Sequence, residues 1–183
     1  VPNILDNQPP TTTDLAERVR FNLIVTWLLS PEIEGGYNND PDDRGGETNH
    51  GISSAANPDL EVASLTDDEI KARLYQNYWR AARCDRLPRP LAWATFDAAV
   101  LHGDHKAVVL LQQSLGVTAD GINGPQTQAA ARRANFNIVL PDLFSRRALF
   151  MHDIVTADRS QAKWIRGWFR RLFLLHQFIQ RNP

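Results

Sequence analysis

The chain has 183 residues, 43% of them hydrophobic and 22% charged, with a formal net charge of −1. That length holds one hydrophobic core and is too short for two independent enzymes, and the composition excludes a disordered or fibrous chain. The single cysteine, Cys84, excludes an intramolecular disulfide and a multi-cysteine zinc site, and reads as a small buried hydrophobe.

Residues 1–13, VPNILDNQPPTTT, are polar and proline-containing and read as an extended leader. A helix is then expected with Asp14 as N-cap and Glu17 three residues on, the spacing of a capping box. Leu15, Val19, Leu23 and Trp27 recur every four residues with Ile24 and Leu28 beside them, which predicts one buried stripe. The apolar run FNLIVTWLLS, 21–30, is about half of the ~20 residues needed to cross a bilayer, so no stable membrane insertion is expected. No secretory leader is visible, although a start at Val1 rather than Met leaves a removed leader open. Gly35 and Gly36 should end the helix with Glu34 in its last turn. Asn-Asp-Pro and Gly-Gly turn signals then predict a small hairpin or irregular β element.

Thr66 with Glu69 predicts a second capping box, opening a helix in which Ile70, Leu74 and Tyr78 share a face flanked by Trp79. LAWATFDAAVLHG, ending at Gly103, reads as a central hydrophobic helix. Asp104 is placed to cap the next helix, which should stop at Gly116. Pro125 is expected at the first position of another, and long amphipathic helices are expected from about Pro141 onward. The prediction is seven helices and one small β element, a mainly α fold. Trp164, Trp168, Phe169, Leu172 and Phe173 read as a core stripe beside a solvated basic face.

Charge is unevenly placed: residues 31–70 hold eleven acids against Arg44 alone, while 160–183 hold five basic residues and no acid. Within the acidic region, EGGYNNDPDDRGGETNHGI, 34–52, packs five glycines and five carboxylates into nineteen residues. A hairpin there could bring Asp43 opposite Glu34 and leave a slot between them. Glycoside hydrolysis needs such a pair, one carboxyl protonated to donate to the leaving oxygen and the other ionised. A Glu against an apolar helix keeps its proton more readily than an Asp in a polar loop. Most loop carboxylates are merely solvated, so the pair alone does not decide the matter.

The pattern Glu34-Gly35-Gly36-Tyr37, then Asp43-x-Gly45-Gly46-x-Thr48-x-x-Gly51-Ile52, resembles the signature of N-acetylmuramidases of glycoside hydrolase family 108. Tyr78-Trp79, the LPRPLAWATFDAAVLHG block and Gly167-Trp168 are similar to later blocks of that family. LLQQSLGVTADGINGPQTQAA, 110–130, resembles its companion peptidoglycan-binding-type region. The resemblance implies a lysozyme-like helical fold with a small β-hairpin element at the active site. A catalytic lobe over 14–104 would be packed against a helical peptidoglycan-binding-type lobe over 105–183. It implies cleavage of the β-1,4 bond between N-acetylmuramic acid and N-acetylglucosamine, for phage lysis or bacterial wall remodelling, with Glu34 as the acid. The order Glu, Asp, Thr is also similar to that of phage-type lysozymes, which by analogy gives Asp43 and Thr48 the handling of water. Tyr37, Asn49 and Trp79 are the candidate substrate-binding residues. Leu101-His102 departs from the family pattern, where an Asn commonly precedes the glycine.

Inversion and retention both stay open, since the carboxyl separation decides between them. A lytic transglycosylase would also use one Glu acid, and a wall-binding protein could keep the fold without catalysis; Asp43 and Thr48 favour hydrolysis. Asp40, Asp42 and Gly45 imitate the start of a calcium loop, but Arg44 occupies a ligand position and Gly51 replaces the bidentate Glu. His102 and His105 have no third ligand in sequence. No metal or other cofactor is expected, and no nucleic-acid partner. The expected partner is the peptidoglycan glycan strand, met by a monomer acting in the periplasm or outside the cell.

Overall fold

The structure, a computed structural model, describes residues 12–33, 37–38, 46–49, 52–55 and 60–182. Among these, seven α-helices run in chain order: α1 Thr12–Leu28, α2 Asp67–Leu74, α3 Arg89–His102, α4 Asp104–Leu115, α5 Pro125–Arg133, α6 Phe136–Ala157 and α7 Ile165–Arg181. Between α1 and α2 lie three two-residue strands, β1 Tyr37–Asn38, β2 Thr48–Asn49 and β3 Ile52–Ser53, paired antiparallel in the order β1-β2-β3. The mainly α, lysozyme-like architecture and the small β element are those the sequence predicts.

The first helix departs from expectation in its start and its face. α1 begins at Thr12, so Asp14 lies inside it and Glu17 closes no capping box. Glu17 instead turns into the core and accepts hydrogen bonds from the Tyr75 hydroxyl at 2.8 Å and the Trp79 indole N–H at 3.1 Å. Leu15, Val19 and Leu23 are 51%, 58% and 41% exposed. The buried face is Glu17, Phe21, Ile24, Val25 and Leu28. Residues spaced by four advance about 40° around a 3.6-residue helix at each step, so such a line winds off the core. The observed set alternates threes and fours and stays on it. Phe21 holds this face in place, edge-on to Tyr75, Trp79 and Phe96 with centroids 5.0, 5.5 and 5.7 Å apart.

α2 opens with the predicted capping box: the Thr66 hydroxyl accepts from the Glu69 N–H, and the Glu69 carboxylate accepts from the Thr66 N–H. The chain then makes a π-helical turn over Tyr75–Arg80. A π turn inserts one residue into the helical repeat. Trp79, rather than Tyr78, therefore continues the buried line of Ile70 and Leu74.

α3 is the centre of the molecule, with every residue from Leu91 to Ala99 buried. It packs on α4, α6 and α7, and one continuous apolar cluster runs from Phe21 in α1 to Ile179 in α7. Near residue 104, where a change of lobe is expected, Gly103 ends α3 and precedes α4. Gly103 stands in the capping position expected of Asp104, which is the first helical residue of α4. The junction is not a break in packing. α6 starts at Phe136 under an Asn135 cap whose side chain accepts from the Asn137 N–H, and Pro141 lies inside the helix instead of opening it. The proline forfeits one backbone bond. Buried Val139, Leu140, Leu143 and Phe144 on both sides keep the helix running.

Two polar devices bind these helices. Asp97 of α3 is completely buried and accepts from Arg147 of α6 at 2.7 Å and Arg171 of α7 at 2.8 Å. Gln112 of α4, also buried, clamps the following turn. Its amide N–H2 donates to Asp120 Oδ1 at 2.7 Å, the Ile122 carbonyl at 3.0 Å and Thr127 Oγ1 at 3.0 Å, and its Oε1 accepts from the Gly121 N–H at 2.8 Å. Gly121 has φ +76°, and a Cβ there would sit 2.3 Å from the His105 ring. The LQxxLG and DGxxGPxT blocks are therefore the two halves of one self-locking turn.

Candidate active site

Glu34 and Asp43 lie outside the described residues. The frame on either side of them is described. After α1 the chain tightens into a turn, with the Ile33 N–H donating to the Ser30 carbonyl at 3.0 Å. Arg170 of α7 donates to the carbonyl of Glu32. The last helix thus grips the backbone two residues before Glu34. β1 and β2 pair as an antiparallel hairpin, Tyr37 opposite Asn49 and Asn38 opposite Thr48, so the segment that contains Asp43 is its connection.

Thr48 and Asn49 are successive residues of β2, and a strand sends successive side chains to opposite faces. Asn49 points inward: it is 7% exposed, lies opposite buried Ile52, and its amide donates to the Val62 carbonyl at 3.0 Å. That bond ties the sheet to the short 3₁₀ turn Val62–Ser64. Thr48 is half-buried, and its hydroxyl donates to the Gly46 carbonyl at 3.0 Å. With its proton so committed, the oxygen keeps lone pairs that can accept from water. Gly46 has φ +66°, and a Cβ would come within 2.9 Å of Ser54 Oγ, so the turn into β2 requires glycine. The Ser54 N–H donates to the Glu47 carbonyl at 2.8 Å and extends the β2–β3 ladder.

Of the substrate-binding candidates, Tyr37 has its backbone in β1 opposite Asn49. Trp79 requires correction. It is 0% exposed, its ring meets Phe21 and Phe96, and its N–H is taken by Glu17. A ring with no exposed face offers a sugar nothing to stack on.

The titratable groups of the body read as structural. Burial by itself would raise the Asp97 pKa, but the Arg171 and Arg147 guanidiniums outweigh it and hold the carboxyl below its ordinary value. His102 is pushed down to about 3, by burial first and then by the Arg147 charge, so its imidazole is neutral. Burial pushes the Cys84 thiol well up, which leaves it unreactive. Among the described residues, no three His, Cys, Asp or Glu side chains gather where a metal ion could be held. No described helix is long and apolar enough to cross a membrane.

Residues 29–103 match the glycosyl hydrolase 108 family, and residues 106–173 match a predicted peptidoglycan domain. The glycosyl hydrolase 108 match begins directly after α1 and closes at Gly103, so it spans the three strands, α2 and α3. The chain is also similar to a solved structure of Brucella abortus SagA, with 28% identity over 90% of this chain and 95% of that one, at a TM-score of 0.77. No curated protein matches the chain in sequence. With a peptidoglycan domain following directly, the glycosyl hydrolase 108 region supports a glycoside hydrolase acting on peptidoglycan.

Two groups escape a reading of local pattern. The Asp97, Arg147 and Arg171 cluster joins residues 50 and 74 positions apart, beyond any local periodicity. Arg80, Arg83 and Arg86 recur every three residues, a visible spacing whose meaning depends on the π and 3₁₀ turns that carry it.

Proposed function

We propose that the protein is an N-acetylmuramidase that hydrolyses the β-1,4 bond between N-acetylmuramic acid and N-acetylglucosamine. Glu34 donates the proton to the leaving oxygen, and Asp43 and Thr48 handle the water. The observation that carries this reading is the glycosyl hydrolase 108 match across 29–103, a stretch of sequence that includes Glu34, Asp43 and Thr48. The Thr48 hydroxyl supports its role, because donation to Gly46 leaves the oxygen as an acceptor for a water proton. Tyr37 and Asn49 remain the candidates for contact with sugar. The enzyme works as a monomer on glycan strands, in the periplasm or outside the cell.

The test is digestion of purified peptidoglycan by the wild type and by Glu34→Gln, with released muropeptides identified by mass and reducing end. Reducing N-acetylmuramic ends from the wild type are expected. Loss of the general acid should lower turnover by about 10²–10⁴-fold with thermal stability kept. Near-normal activity in Glu34→Gln would sink the assignment, anhydro ends would make the enzyme a transglycosylase, and wall binding without products would leave a non-catalytic binder.

A further inference from the structure

On the side of the molecule where the glycosyl hydrolase 108 region meets the peptidoglycan domain, a cavity of about 430 Å³ opens between the Arg80–Arg86 turn and the start of α5. It is lined by Arg80, Arg83, Asp85, Arg86, Pro125 and Gln128. Arg80 ends the π turn, Arg83 is the left-handed residue before the Cys84–Arg86 3₁₀ segment, and Arg86 ends that segment, so three different backbone settings bring the arginines to one mouth.

The cavity is built, not a chance dent in the surface. Arg83 is the one non-glycine residue with positive φ among those described, at φ 49° and ψ 43°. The left-handed region disfavours any residue with a side chain, and such residues persist where their surroundings over-determine them. Here the buried Asn123 amide donates to the carbonyls of both Ala82 and Arg83, at 2.9 and 3.1 Å. Asn123 belongs to the DGxxGPxT turn that Gln112 locks, and the same turn delivers Pro125 to the first position of α5. From the other side Arg20 of α1 donates to the Asp85 and Leu87 carbonyls, at 3.2 and 3.0 Å.

The charges are not all spent. Asp85 Oδ2 receives both Arg80, at 3.2 Å, and Arg86, at 2.9 Å. Arg83 meets no carboxylate among the described residues and reaches only the Asn123 carbonyl, at 3.5 Å. The first N–H groups of a nine-residue helix add a partial positive charge beside it.

We propose that this cavity binds the carboxylates of a peptidoglycan stem peptide, with Arg83 as the principal anchor. The inference rests on the muramidase reading only for the source of the peptide. A guanidinium fork matches a carboxylate with two parallel hydrogen bonds. In a cross-linked wall, the free carboxylates sit largely on the stems. Gln128 in the same lining gives its N–H to the Asn123 carbonyl at 2.9 Å, so its Oε1 can accept from a peptide N–H, a donor that a phosphate polymer lacks. Stem binding here would let the enzyme favour strands that still carry peptides.

The experiment is calorimetric titration of the full chain with a synthetic stem tetrapeptide free of sugar, and with the same peptide amidated at its carboxylates. Arg83→Asn and Arg83→Gly are compared with the wild type because both residues tolerate the left-handed backbone, and unchanged melting temperatures confirm the fold. The wild type should bind, and both variants and the amidated peptide should lose about tenfold or more, the range for a charge-assisted pair. Equal affinity in wild type and variants, or no loss on amidation, would overturn the proposal, as would an inert peptide. Arg83-dependent binding of inorganic phosphate without peptide binding would give the cavity to a phosphate ligand and also overturn it. Failure of the two readings is separable: reducing ends without peptide binding defeats only the cavity, and Arg83-dependent peptide binding without reducing ends defeats only the muramidase.

Discussion

The small sheet and the α3–α4–α6–α7 body are held by different means. Three strands of two residues supply few ladder bonds, and among the described residues the Asn49 amide and the Ile52 side chain tie the sheet to the rest of the chain. The body has a continuous apolar core with a buried carboxylate gripped by two guanidiniums at its centre. Local opening free energy follows buried contacts, so the sheet belongs to the low-stability end of the molecule and the body to its global limit.

The largest way to break the comparison is Asp97→Ala. It removes the buried carboxylate that Arg147 and Arg171 share and should cost about 3–5 kcal/mol, enough to remove much of the stability of a single domain. Urea unfolding should show the midpoint fall with little change in slope. Replacing Asp97, Arg147 and Arg171 together by apolar residues of similar volume should restore most of that loss. If the single variant is as stable as the wild type, the cluster is not what holds the body.

Acid should act on the body next. His102 has a folded pKa of about 3 against an ordinary value of 6.5, so between those limits the unfolded chain binds a proton that the native one refuses. Stability from this group is complete above 6.5 and is lost as pH falls towards 3, at up to ~1.4 kcal/mol per pH unit. Asp97 has the same sign at lower pH, its contribution present above the unfolded carboxyl value and lost as pH falls through the depressed one. His102→Gln should flatten the slope between pH 6.5 and 4, and an unchanged slope would transfer the effect to other groups.

Asn49→Ala sharpens the contrast from the other side. Loss of its bond to Val62 should cost about 1–2 kcal/mol. Hydrogen exchange should accelerate in residues 46–53, and peptidoglycan hydrolysis should fall by more than the small drop in melting temperature suggests. Thr66→Ala should be the mildest, about 1 kcal/mol from loss of the cap of α2, with activity kept. A larger effect on activity from Thr66 than from Asn49 would reverse the assignment of the two regions.

Local chemistry made much of this legible in sequence. The Thr66–Glu69 box, the end of α3 at Gly103 and Pro125 at the head of α5 each depend on residues a few positions apart, and each stands where expected. Leu15, Val19 and Leu23 misled because two apolar lines overlap on α1, and only the partners Tyr75, Trp79 and Phe96 decide which is covered. Trp79 misled for a related reason. A π turn changes which residue faces inward, and sequence periodicity assumes that the repeat never changes. The hairpin around Thr48 was legible from glycine and proline spacing, whereas the inward turn of Asn49 needed the register that pairs it with Ile52.

The Asp97 cluster also sets an order of events in synthesis. A ribosome that has delivered α3 has delivered neither of the cations its carboxylate requires, and Arg171 emerges 74 residues after Asp97. Arg147 arrives first with α6, so the carboxylate of the middle helix has one of its two cations until Arg171 follows, and α7 cannot reach back to Glu32 before that. The body can therefore close its buried ion cluster only in two steps, with α6 and then with α7, and the grip on the Glu32 carbonyl comes with the second.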